Sequence, residues 1–92
     1  MLRPDLANDA MRFLKKRDAK QFMQIFQAIT ALCADPRPAD SIAMGNGKHF
    51  RKDVGEFRVI YRFDKELLYV TVVGNRNDSA AYQEFNRKKS VT

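Results

Sequence analysis

The sequence predicts an α+β domain: an N-terminal helical hairpin on one face of a three-stranded antiparallel sheet, then a short C-terminal helix. Three observations carry this. Apolar residues recur at helical spacing from Leu6 to Cys33, and they alternate at strand spacing across residues 49–74. Between them the alternating region is split by Gly55-Glu56, a two-residue hairpin loop. Ninety-two residues suit one domain. It divides into a hairpin (1–35), a loop (36–48), the sheet (49–74), and a loop with C-terminal helix and tail (75–92).

Pro4 suits the first turn of a helix, where its missing N–H costs nothing, and Asp5 favours the positive helix end. Leu6, Ala10, Phe13 and Leu14 then form one apolar stripe. Lys15, Lys16 and Arg17 complement the dipole at its end. Asp18 reads as the N-cap of a second helix, with Gln21 three residues on. Phe22, Ile25, Phe26, Ile29, Leu32 and Cys33 give that helix a broad apolar face. It should stop before Pro36, because the residue preceding proline is pushed out of the helical region. Cys33 lies on the stripe and reads as core.

Residues 36–47, PRPADSIAMGNG, form a loop by composition, with Ile42 and Met44 as candidate anchors to the core. Strands are expected at about 49–54, 56–63 and 67–74. The turn at Gly55 sets Val54 opposite Phe57, Asp53 opposite Arg58, Arg51 opposite Ile60, and His49 opposite Arg62. Side chains alternate across a strand, so this register sorts them into two faces. Phe50, Val54, Phe57, Val59, Tyr61 and Phe63 take the face toward the helices, with Lys52 the exception among them. His49, Arg51, Asp53, Arg58, Ile60 and Arg62 take the other. A second turn through Asp64-Lys65-Glu66, with Arg62 opposite Leu67, adds Leu68, Val70 and Val72 to the apolar face. Tyr69, Thr71 and Val73 then join the basic one. After Gly74, Asp78 or Ser79 caps a short helix holding Tyr82 and Phe85, and Arg87-Lys88-Lys89 reads as a solvated end.

The net charge is +6, with a pI near 9.8, which suits an anionic partner. Residues 1–47 hold seven Lys/Arg against five Asp/Glu, and residues 48–92 hold ten against six, so the excess sits with the strands. No apolar run approaches the roughly 18 residues of a membrane span. The N-terminus has no signal-peptide pattern. One cysteine makes no internal disulfide, and a cytoplasmic setting is expected. One His and one Cys supply no metal-ligand cluster, and Gly45-Asn46-Gly47 lacks the lysine-serine pattern of a phosphate loop.

The stretch GEFRVIYRFDKELLYVTVVGNRND, followed by Tyr82, resembles the RelE/ParE superfamily of bacterial toxin–antitoxin toxins. The resemblance spans most of the chain and rests on the second-strand pattern together with Val73-Gly74-x-Arg76. It implies a compact α+β domain with an antiparallel sheet packed on two helices. Two departures stand out. Relatives usually open with a β-strand, whereas here only Met1, Leu2 and Arg3 precede Pro4, so that strand is expected to be absent or nearly so. RelE-like members also often carry two basic residues at i, i+2 on the first strand of the hairpin. Arg51 fits the first place, but Asp53 stands in the second, where it can pair across the strand with Arg58.

The resemblance implies a ribosome-dependent mRNA endonuclease in which a ribose 2′-hydroxyl attacks without a metal ion or other cofactor. Arg58, Arg76 and Tyr82 match the catalytic positions. Arg51, Lys52, Arg62 and His49 are the further candidates for holding RNA or phosphate. Implied partners are a cognate antitoxin, the ribosome and its mRNA. The alternatives are a ParE-like inhibitor of DNA gyrase, which would bind without cutting RNA, and a degenerate member that mainly binds its antitoxin.

Overall fold

The computed structural model describes residues 1–76, 83 and 85–87. The chain runs β1 (Arg3–Leu6), α1 (Asn8–Lys15), α2 (Ala19–Ala34), β2 (Ile42–Ala43), β3 (Phe50–Val54), β4 (Phe57–Phe63) and β5 (Leu67–Asn75). The strands form one five-stranded mixed sheet in the order β1-β5-β4-β3-β2. Residues 83 and 85–87 are helical.

The helical hairpin forms from Asn8 onward as its periodicity predicts, except that Leu6 lies in β1 and Phe26 of the expected apolar face is exposed. Asp18 caps α2, its side chain accepting from the Gln21 N–H at 2.7 Å, and the helix ends at Ala34, two residues before Pro36. Ala10 and Leu14 of α1 join Ile25, Ile29, Leu32 and Cys33 of α2 in the main core. The sheet contributes Val54, Phe57, Val59, Tyr61, Leu68, Val70 and Val73 to the same cluster. Burial raises the Cys33 thiol pKa, as befits a core residue. Among the described residues no helix is long and apolar enough to cross a membrane.

The expected three-stranded sheet is corrected to five, because two strands too short to be legible from alternation flank it. The opening strand is present: β1 runs parallel to β5, with Arg3 opposite Leu67 and Leu6 opposite Val70. Pro4 therefore lies in a strand, and α1 begins only at Asn8. The proline is tolerated because β1 is an edge. Arg3 N–H and Ala7 N–H donate to Glu66 and Val70 carbonyls at 2.9 and 3.0 Å, so the nitrogen of residue 4 points away from β5. On that outer side Leu2 N–H reaches the Cys33 carbonyl at 2.9 Å and ties the chain start to the end of α2. At the other edge β2 interrupts the expected 36–48 loop, pairing Ile42 with Arg51 and Ala43 with Phe50. Of the two expected anchors, Met44 packs on a small core cluster, while Ile42 stays 49% exposed.

The β3–β4 register is the one the Gly55 turn predicts: Val54 faces Phe57, Asp53 faces Arg58, and Arg51 faces Ile60. Gly55 has φ +58°, the left-handed conformation that the turn demands. The β4–β5 register differs. Arg62 faces Tyr69, Tyr61 faces Val70 and Ile60 faces Val72, so Thr71 is the extra residue of a β-bulge. Beyond the bulge the faces of Val72 and Val73 exchange relative to expectation. Val73 enters the helix-side core, while Val72 joins Ile60, Phe85 and Met44 on the opposite face.

Candidate functional site

The face of the sheet turned away from α1 and α2 carries two groups of chemistry-bearing side chains, with the Ile60–Val72–Phe85 cluster between them. The first lies where β3 and β4 approach their turn. The Gly55-Glu56 loop puts Asp53 and Arg58 opposite one another, and antiparallel pairing brings their side chains to one face. Arg58 Nε donates to Asp53 Oδ1 at 2.7 Å and Arg58 Nη2 to Asp53 Oδ2 at 3.3 Å. The Arg58 side chain is only 12% exposed against 43% for Asp53, so the guanidinium is the sequestered partner.

Two more arginines surround this pair. Arg51 stands two residues before Asp53 on β3, on the same face by alternation. Arg76 follows β5, and its backbone N–H donates to the Glu56 carbonyl at 2.9 Å, which fixes the chain beside the β3–β4 turn. The Asp53 carboxyl is held below the ordinary aspartate range, first by its hydrogen bond from Arg58, then by the charges of Arg58, Arg51 and Arg76. Burial opposes that shift without reversing it. One carboxylate thus sits in the field of three guanidinium groups, leaving a local cationic excess suited to a phosphate.

The second group lies at the far end of β4. Arg62 stacks on the Tyr69 ring, its Cζ 3.9 Å from the centroid, and Tyr69 Oη donates to Asp64 Oδ2 at 2.9 Å. Asp64 also accepts the Glu66 and Leu67 N–H groups through Oδ1, both at 2.8 Å, so the turn that starts β5 anchors the tyrosine. His49 stands nearby, its pKa lowered mainly by burial and further by the charges of Arg62 and Lys48. A depression of about 300 Å³ is lined by Asp5, Ala7, His49, Arg62, Tyr69, Val70 and Thr71.

Of the residues singled out from sequence, Arg51, Arg58 and Arg76 come together, and His49 and Arg62 form the separate group. Lys52 joins neither. It lies opposite Val59 on the helix side of the sheet and forms an ion pair with Asp40 of the 36–41 segment. Tyr82, with the proposed caps Asp78 and Ser79, falls outside the described residues. Arg87 was expected in a solvated tail; it is helical and lies 3.7 Å from Asp9 Oδ2. Tyr69 received no role from sequence although alternation put it on this face; its match to Arg62 was missed because the second turn was expected to set Arg62 opposite Leu67, two residues from the observed partner. Asp5 was missed because its strand was.

Among the described residues no group of three or more His, Cys, Asp or Glu side chains gathers as a metal site.

Neither a protein-family model nor a curated protein sequence matches the chain. Solved structures do. The free E. coli toxin RelE, in a double arginine-to-alanine mutant, superposes with a TM-score of 0.79 at 18% identity, covering 95% of this chain and 96% of that one. RelE in the intact E. coli RelBE toxin–antitoxin complex gives 0.72 at 16% identity, over 84% and 99%. The YoeB dimer from Staphylococcus aureus gives 0.68 at 12% identity, over 82% and 97%. The chain has the RelE/ParE fold, in agreement with the resemblance in its sequence.

Proposed function

We propose that this chain is the toxin of a toxin–antitoxin pair and acts as a ribosome-dependent mRNA endonuclease in the cytoplasm. The observation that carries the reading is the gathering of Arg51, Arg58 and Arg76 around Asp53 on the sheet face opposite the helices. The likeness to RelE and YoeB supports it at the level of fold, and the RelBE complex supports a cognate antitoxin as the partner.

Cleavage by a neighbouring ribose 2′-hydroxyl builds negative charge on the phosphorane as the 5′-oxygen leaves. Cations placed beforehand stabilise that charge more than they stabilise the starting phosphate. Arg58 and Arg76 take that role. Arg51 binds the phosphate from the next strand, and His49 and Arg62 hold RNA further along the face. Tyr82 is the proposed group for orienting the substrate base or transferring a proton. A free tyrosine pKa near 10 means that such transfer needs neighbouring cations to lower it. General acid–base assistance of this kind is typically worth about 10²–10⁴-fold.

The test is brief induction of the full chain followed by mapping of mRNA 5′ ends, repeated with purified protein on programmed ribosomes. The expected result is cleavage within translated codons, lost in Arg58→Ala and in Arg76→Ala. Cleavage that survives Arg76→Ala removes that residue from the site. DNA damage without RNA cuts moves the protein to the gyrase-inhibitor class. Binding of an antitoxin with neither effect leaves only the antitoxin-binding reading.

A further inference from the structure

We propose that the depression at the far end of β4 is a nucleotide subsite: one unpaired base stacks on the Arg62 guanidinium, and Asp5 selects bases that carry an amino group. This rests on the proposed RNA-cleavage reading and gives the Arg62 end of the face a defined ligand. The residues come together across the strands. Asp5 of β1 is the register partner of Tyr69 on β5, and Tyr69 is the partner of Arg62 on β4. Extending the β3–β4 register one residue past Phe50 and Tyr61 puts His49 beside Arg62. Carboxylate, phenol, guanidinium and imidazole thus form one row across the sheet, around a depression of about 300 Å³.

Arg62 is held where a base can reach it. Its guanidinium lies on the Tyr69 ring at 3.9 Å, so one planar face is covered and the other is turned away from the ring. Tyr69 is held in turn by its bond to Asp64 at 2.9 Å. The phenol stays protonated, its pKa raised first by that bond, then by burial and the charge of Asp64, and also by the charge of Asp5. Arg62 is exposed, and among the described residues no acceptor takes its N–H groups. Arginine planes and aromatic rings are the platforms on which unpaired bases stack.

Asp5 supplies the selection. It is exposed and lines the depression with Arg62, yet among the described residues the two form no ion pair. An ionised carboxylate only accepts hydrogen bonds. Adenine, cytosine and guanine offer it an exocyclic amino group. The one edge N–H of uracil is flanked by two carbonyl oxygens, which a carboxylate repels. At the other end of the row Asn46 donates to His49 Nδ1 at 2.8 Å, which leaves Nε2–H as the donor of the ring. Arg62 stands four residues along β4 from Arg58, about 13 Å at the rise of a strand, so the subsite lies beside the scissile phosphate and not at it.

The experiment uses the full chain with Arg62→Lys, Tyr69→Leu and Asp5→Asn. One arm measures affinity for uncleavable 2′-O-methyl RNA hexamers of adenosine, cytidine or uridine, and for an abasic strand of the same length. The other measures kcat and KM on programmed ribosomes. Wild type should bind the adenosine and cytidine hexamers at least about fivefold more tightly than uridine, with the abasic strand weaker still. Arg62→Lys keeps the charge and loses the plane. It should lower adenosine and cytidine affinity at least about fivefold and leave the abasic strand unaffected. Tyr69→Leu should do the same by releasing Arg62. Asp5→Asn should let uridine bind as well as cytidine, because an amide both donates and accepts. On ribosomes Arg62→Lys and Tyr69→Leu should raise KM more than they lower kcat. Equal affinity for the abasic strand, no loss in Arg62→Lys, or no gain for uridine in Asp5→Asn would overturn the inference. If wild type cuts no mRNA, the proposed function fails, and the binding arm alone decides the subsite by the same outcomes.

Discussion

The His49 ring meets Phe85 edge-on, with centroids 4.8 Å apart, and its Nδ1 lies 2.8 Å from Asn46 Nδ2. Asn46 is held in that orientation because its Oδ1 accepts the Lys48 and His49 N–H groups at 2.9 and 3.0 Å. The amide therefore donates to Nδ1, which fixes the neutral ring as the Nε2–H tautomer. Protonation would set a donor against a donor, beside Arg62 and Lys48.

A pH dependence follows. The folded pKa of His49 lies below its ordinary 6.5, chiefly through burial. Between the folded and unfolded values the unfolded chain binds more protons, so stability rises with pH there. Thermal unfolding should show Tm falling as pH drops from about 7.5 through 6.5, the reference value, and levelling below the folded pKa. The depressed carboxyls of Asp40, Asp53 and Asp64 act only below about pH 4, the ordinary aspartate range. His49→Gln should flatten the profile between pH 8 and 5. An unchanged slope in that variant would assign the dependence elsewhere.

Tyr61 is fully buried, and its hydroxyl donates to the Pro36 carbonyl at 2.7 Å, pinning the segment after α2 to the middle of β4. Tyr61→Phe keeps the ring and strands the carbonyl. Losing one partner of a buried hydrogen bond costs about 1–2 kcal/mol. In a domain of this size each kcal/mol lowers Tm by about 4–8 °C. Calorimetry on the two proteins checks this, and an equal Tm would mean that the carbonyl finds another donor.

Gly55→Ala tests the turn. The backbone sits at φ +58°, and an added Cβ would run into the side-chain amide of Gln24. The left-handed conformation costs an L-residue about 1–2 kcal/mol. Gln24 is an exposed, flexible side chain that can swing away, so the backbone cost should dominate. Denaturant titration should place the loss near that value, with Gln24→Ala in the same background restoring only a minor part. Full recovery would make the clash, and not the dihedral, the reason for glycine.

What the sequence could reveal follows from how local each feature is. The Gly55 turn fixed the Asp53–Arg58 and Arg51–Ile60 pairs because both strands meet at one short loop, so counting outward sets every partner. The β4–β5 register was set two residues off at the Asp64-Lys65-Glu66 turn, and the bulge beyond it went unseen because Val72 and Val73 are identical and both buried. Alternation cannot locate a bulge when either neighbour satisfies either face. Strand β1 was misread because Pro4 fits a helix start as well as an edge strand. Only the parallel pairing with β5, about 64 residues on, chooses between them. The arginine cluster was legible as a face, whereas Arg76 beside Asp53 is fixed by its backbone bond to Glu56.

Arg51 and Lys52 are adjacent cations with unequal expected effects, and this tests the site more sharply than total charge does. Arg51 lies opposite Ile60, on the face with Arg58 and Asp53. Lys52 lies opposite Val59 and is paired with Asp40 on the helix side. Each substitution by alanine removes one positive charge, so a purely long-range attraction for RNA would weaken alike in both. A placed contact would not. Arg51→Ala should lower cleavage on programmed ribosomes at least tenfold, and Lys52→Ala far less. Its exposed partner Asp40 makes the Lys52 pair a minor contributor to stability. Equal losses in the two variants would show that the face is an electrostatic attractor without a defined phosphate position, and would count against the arrangement of Arg51, Arg58 and Arg76 as a catalytic site.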